Sequence, residues 1–166
     1  MTRTAEYLQG VMTVYQGEVL GEALYSGLLA TAASQHQHYF AAMLQMETEA
    51  KARLRPFLVR LGLSVVESED SRREGIALAD TLSSLSWEEF LAAFAREIAV
   101  YVDKYQTIAD QAPPEDRPAL DFMVEHEKSF LRFAAAELTG EPAQAIEALA
   151  SQLILRLDGK NPRIAF

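Results

Sequence analysis

The sequence predicts an all-α fold. It reads as a bundle of four long helices paired as two hairpins, with a long crossover between the hairpins and a short fifth helix after them. Three observations carry this prediction. Apolar residues recur at steps of three and four along four long segments, the spacing that gathers side chains on one helix face. The composition is rich in Ala, Leu, Glu and Gln, and no alternating stretch is flanked by turn residues as a strand would be. The first and second segments are joined tightly, as are the third and fourth, whereas residues 63–85 lie between the second and third. That length can run the height of a bundle, which a simple up-down-up-down connection does not need.

Each element follows from its own signals. The first helix is expected from near Thr4 to Ala33, with Leu8, Val11, Tyr15, Glu18, Glu22, Tyr25 and Leu29 on one face. Ser34 is the expected N-cap of the second, which should end at Gly62 and bend near Pro56, where an N–H is missing. Its inward stripe is Phe40, Met43, Glu47, Ala50, Leu54, Leu58 and Leu61. The crossover looks helical from Arg73 to Leu82. Ser86-Trp87-Glu88-Glu89 is a capping-box pattern that starts the third long helix, with a stripe of Trp87, Phe90, Phe94, Glu97, Tyr101, Tyr105 and Ile108. The fourth is expected from Pro114 or Glu115 to Gly140, through Leu120, Met123, His126, Glu127, Phe130 and Glu137. Pro142 opens the fifth, expected to end near Gly159. The domain reading is a four-helix bundle over 1–140, with 141–166 as a helix and tail packed on the bundle or on a dimer face.

Bulk properties narrow the function classes. The 166 residues, 49% of them apolar, suffice for one domain with a real core. No stretch is long and apolar enough for a membrane span, and no secretory signal pattern is present, so a cytoplasmic protein without a membrane partner is expected. Cysteine is absent, which excludes disulfides, thiol catalysis and thiolate metal sites. A net charge of −9 with scattered basic residues argues against nucleic acid. No phosphate loop, nucleophile elbow or Ser/His/Asp arrangement appears.

The chemistry lies in what interrupts the apolar stripes. Each of the four carries a carboxylate or an imidazole, and an unpartnered buried carboxylate costs several kcal/mol, roughly 2 or more. A single such residue is readily explained by a slight rotation toward water or by a satisfied core histidine. One on every seam calls for a shared partner. Gly17 and Gly21 flank the first of these carboxylates and open room for close approach.

Local sequence adds a resemblance. Tyr15-Gln16-Gly17-Glu18 with Tyr25, the stretch Glu47 to Leu54, and His126-Glu127-Lys128-Ser129-Phe130-Leu131 resemble three helices of rubrerythrin-type ferritin-like proteins, over roughly Tyr15 to Gly140. The resemblance implies a ferritin-like bundle with a di-iron-derived site between the helices. By it, Glu18 is a terminal carboxylate, Glu47 a bridging one, His126 the imidazole of the last helix and Glu97 the carboxylate of the third. Two positions depart from the family pattern. Ala50 stands where the second helix would carry His, and Met123 where the last would carry Glu.

Three outcomes are therefore open. Glu18, Glu47, Glu97 and His126 hold one metal, iron or manganese, with Glu22 and Glu127 as further candidate ligands and Tyr25 and Tyr101 orienting them. Alternatively, the carboxyls are protonated. In the third, Lys51, one turn after Glu47, balances them together with His126 in a metal-free binding or interaction module. The resemblance further implies oxygen or peroxide chemistry in the first case, and a homodimer is expected.

Overall fold

The structure, a computed structural model, describes residues 3–154. It contains six helices and no strand among the described residues: α1 (Ala5–Thr31), α2 (Gln37–Arg60), α3 (Glu69–Leu82), α4 (Trp87–Asp110), α5 (Arg117–Leu138) and α6 (Pro142–Ala150). None of these helices is long and apolar enough to cross a membrane.

The caps explain most boundaries. Thr4 accepts the Tyr7 amide at 3.1 Å to start α1. Ser86 and Glu89 form the expected capping box of α4. Gly62 and Gly140 take positive φ values of 71° and 75°. Past each of them the chain closes back on its helix, through Leu63 N–H to Leu58 O at 2.9 Å and Glu141 N–H to Ala136 O at 2.8 Å. α2 runs through Pro56 to Arg60, and Ala52, whose carbonyl lost its partner there, is solvent-exposed.

Three starts differ from expectation. α2 begins after His36 rather than Ser34, because the His36 amide turns back to the Ala33 carbonyl and its ring stacks on Trp87 at 3.8 Å. α3 begins at Glu69, ahead of Arg73, because Ser68 caps it by accepting from Ser71 N–H. α5 begins at Arg117, since the buried Asp116 carboxylate is occupied by Arg3, Arg60 and the Tyr7 hydroxyl and caps nothing. α6 ends at Ala150, and the expected continuation beyond Ile154 to Gly159 lies outside the described residues.

Helix pairs follow the connections. α1 packs on α2, and α4 on α5. The crossover helix α3 lies along α1, where Gly27 faces the Ala79 methyl and Gly75 closes onto the Leu20 carbonyl. α6 packs on α5 and α2.

The core is divided. One apolar cluster, dominated by Tyr25, Tyr39, Phe40, Phe90, Phe94, Phe130 and Phe133, fills one end. A second, with Val11, Tyr15, Leu54, Leu58, Tyr105, Leu120 and Met123, fills the other. Along α1 the division falls between Val19 and Leu24, along α2 between Met46 and Ala50, and along α5 between Val124 and Phe130. Glu47, His126 and Glu127 lie in those gaps, and Glu18 borders the one on α1.

Candidate metal centre

Between the two apolar clusters lies a buried polar layer. Glu18 from α1, Glu47 from α2, and His126 and Glu127 from α5 are each at most 5% exposed. His126 Nε2 is 3.3 Å from Glu18 Oε2 and 3.7 Å from Glu47 Oε1. One ligand atom from each of these three residues lies within 4.8 Å of the others. Four buried atoms have no hydrogen-bond partner: Glu18 Oε2, Glu47 Oε2, His126 Nε2 and Glu127 Oε2. Buried polar atoms are nearly always satisfied, so four such atoms in one layer call for shared protons or for a cation.

The donor set fits a cation. Two donors each about 2.1 Å from one ion and roughly at right or tetrahedral angles sit about 3.0–3.4 Å apart. The separations from His126 to the two carboxylates are at or slightly above that range. Two carboxylates and one imidazole suit Mn(II) and Fe(II) better than thiophilic ions.

The surroundings hold the layer in place. The Tyr105 hydroxyl is 3.3 Å from both Glu18 Oε1 and the Val14 carbonyl, donating its single proton between them. Gly17 leaves the space that this hydroxyl fills, since a Cβ there would collide with it. A Cβ at Gly21 would stand 2.6 Å from the Glu47 carboxyl carbon, so glycine is what lets that carboxylate sit against α1. The Phe130 ring meets His126 edge-on at 5.0 Å and packs against Tyr25 at 5.5 Å.

Electrostatics follow from burial. Burial, then the charge of Glu47, pushes the Glu18 carboxyl well above its ordinary pKa. Burial is the main cause for Glu47 too, and for Glu127, where the Glu18 charge adds to it. His126 is shifted down by burial, against the pull of Glu18. Burial also raises the phenols of Tyr25 and Tyr105, and neighbouring carboxylates reinforce it. Each shift favours the neutral form, so the layer without a cation holds protons in its place.

Other residues singled out in the sequence go elsewhere. Glu97 is exposed, and Ile98 takes the inward position on α4. From Phe94 the inward stripe steps by four to Ile98, and the apolar side chain wins the buried position. Glu22 is half-buried and binds Lys51 and the Thr48 hydroxyl, the latter at 2.6 Å. The Lys51 ammonium is paired with Glu22 and, at 2.7 Å, with Glu67. It does not bridge to the Glu18–Glu47 pair. Burial opposes its charge, but the hydrogen bonds it donates to Glu22 and Glu67 outweigh that and hold its pKa above the ordinary value. Glu67 also accepts from Arg72 at 2.6 Å and Arg55 at 3.0 Å, and its pKa is lowered, first by the Lys51 hydrogen bond. Tyr25 is buried beside the layer and Tyr101 is half-buried.

Sequence reasoning missed Tyr105 as the partner of Glu18 and Glu67 as the partner of Lys51. Tyr105 was visible on the inward stripe. Its role needed the gap left by Gly17, a coincidence between two helices. Glu67 had no signal, because it lies in the irregular part of the crossover.

No protein-family model matches this chain, and neither a curated protein nor a solved structure matches it.

Proposed function

We propose that this protein is a ferritin-like, rubrerythrin-related bundle whose buried polar layer binds one divalent metal ion through Glu18, Glu47 and His126. The observation that carries this reading is the set of four unpartnered buried polar atoms in that layer. Iron held there would supply one-electron chemistry toward dioxygen or peroxide, and the chain's own residues define how such a site is kept. Glu18 and Glu47 bring the negative charge that offsets a dication, and His126 the neutral nitrogen, which its lowered pKa keeps available. Tyr105 orients Glu18 by hydrogen bonding to its second oxygen. The two apolar clusters, one on either side, keep bulk water from the layer.

The metal-free alternative, a binding module balanced by Lys51 and His126, has the imidazole beside Glu18 and Glu47 but not the Lys51 ammonium. That ammonium is already committed to Glu22 and Glu67. What a metal-free form has instead is protonated carboxyls.

Elemental analysis after anaerobic Fe(II) or Mn(II) loading tests the proposal. About one ion per chain is expected, lost in Glu47→Ala. A folded protein that takes up neither ion contradicts it.

A further inference from the structure

A row of touching rings runs from the polar layer to the end of the bundle where α4 begins. The Phe130 ring meets His126 at 5.0 Å and Phe94 at 5.9 Å. From Phe94 the rings of α4 lie nearly parallel, Phe94 on Phe90 at 5.4 Å and Phe90 on Trp87 at 5.2 Å. Phe90, Phe94 and Phe130 are buried, whereas Trp87 is half-buried. Trp87 is the single tryptophan of the sequence.

At its outer end the row has a base in place. One oxygen of Glu137 accepts the Trp87 Nε1–H at 3.0 Å, and the other accepts the Tyr39 hydroxyl at 2.6 Å. Glu137 has no ion pair among the described residues. Such a carboxylate, within hydrogen-bond reach, can take a proton. Other phenols lack this combination. Tyr7 donates to Asp116, but Arg3 and Arg60 pair with that carboxylate, and its pKa is lowered, first by the Arg3 hydrogen bond. Tyr105 donates to Glu18, whose charge a bound ion would hold. Tyr25 touches Phe94 and Phe130, yet among the described residues its hydroxyl makes no hydrogen bond.

We propose that Trp87 is an electron donor to the metal centre through the rings of Phe90, Phe94 and Phe130, and that Glu137 takes its proton. This rests on the metal-binding reading above, with Fe(II) as the ion and hydrogen peroxide as the oxidant. Peroxide takes one electron from Fe(II), which becomes Fe(III), and one from Trp87. Its O–O bond breaks and two hydroxide ions leave. The Nε1 proton passes to Glu137, so Trp87 is left as a neutral indolyl radical. The phenylalanine rings are too hard to oxidise to keep the radical and only conduct. Tyr39 reaches Phe94 by edge-on contacts through Phe133, and its hydroxyl holds the carboxylate in position. Once Glu137 carries the indole proton it cannot accept the one on Tyr39, and the radical stays on Trp87.

Freeze-quenched electron paramagnetic resonance of Fe(II)-loaded protein mixed with hydrogen peroxide tests this role, with Fe(II) uptake measured beforehand. An organic radical is expected, and its line should narrow when the protein is made with ring-deuterated tryptophan, which labels position 87 alone. That labelling needs no variant. Trp87→Phe, which keeps a ring at the end of the row, should lose the signal. Glu137→Gln removes the base and should slow the appearance of the radical roughly a hundredfold. A line unchanged by deuterated tryptophan, or no radical from protein that has bound and oxidised Fe(II), overturns the donor role while leaving the metal site standing. A wild-type rate in Glu137→Gln overturns the assignment of the base. Absence of Fe(II) uptake overturns the metal reading, and the donor role with it.

Discussion

Glu18 and Glu22 stand one turn apart on α1, and Glu47 and Lys51 one turn apart on α2, yet the two turns have opposite characters. In the outer turn, Lys51, Glu22, Glu67, Arg55 and Arg72 satisfy one another with ion pairs. In the inner turn, two carboxylates and an imidazole face each other without a cation. A saturated network explains itself as structure: it ties the crossover, through Glu67, to the hairpin of α1 and α2. The inner one is left to protons or to an ion. The contrast teaches that charge in a core is a functional signal only where partners run out.

The largest expected effect breaks the outer turn. Lys51→Met leaves Glu22 and Glu67 without their buried cation, and should cost about 3 kcal/mol in urea unfolding, a value kept modest because both carboxylates are partly exposed. Metal should not rescue this variant, since the lost contacts are not those of the inner layer. Full rescue by Mn(II) would show that Lys51 balances Glu18 and Glu47 after all.

Glu47→Gln should act in the opposite sense on the inner turn. The folded pKa values of Glu18, Glu47 and Glu127 lie above their unfolded values. Their contribution to stability is complete below about pH 4.3 and is lost as pH rises through the raised values. His126, with a lowered value, runs the other way and loses its contribution as pH falls below about 6.5. A glutamine cannot ionise, so in the presence of chelator Glu47→Gln should gain on the wild type as pH increases, by about 2 kcal/mol at pH 8. The same variant should lose metal. A pH-independent difference would mean that Glu47 does not ionise or is not confined.

Metal affinity should rise with pH across the same range, because binding must displace protons from Glu18 and Glu47. Titration calorimetry in buffers of different ionisation enthalpy reports that release. Smaller still is Gly21→Ala. Alanine gains about 1 kcal/mol of helix propensity over glycine, but its methyl would press on the Glu47 carboxylate, so stability should barely change. Affinity for Mn(II) should fall about tenfold through the displaced ligand.

The helices were legible because periodicity, caps and the two glycine stops are local. Ser86, Gly62 and Gly140 did what their positions in the sequence indicate. Starts set by distant partners were not legible. The helix expected from Pro114 or Glu115 starts only at Arg117, after Asp116, which is held by Arg3, Tyr7 and Arg60. The buried layer was half legible. Glu18, Glu47 and His126 were identified from their stripes and converge in space. Glu97 was identified in the same way and is exposed, because a stripe read from spacing is uncertain by one position and Ile98 is the better core residue. Lys51 borders both turns, and only the placement of Glu67 decides which one it serves.

The most direct measurement is a crystal structure of Mn(II)-loaded protein with anomalous differences collected at the manganese edge. The account predicts one peak within bonding distance of Glu18, Glu47 and His126 Nε2, with Lys51 still paired to Glu22 and Glu67. A peak among the outer carboxylates instead, or none in a crystal grown with excess Mn(II), would contradict it.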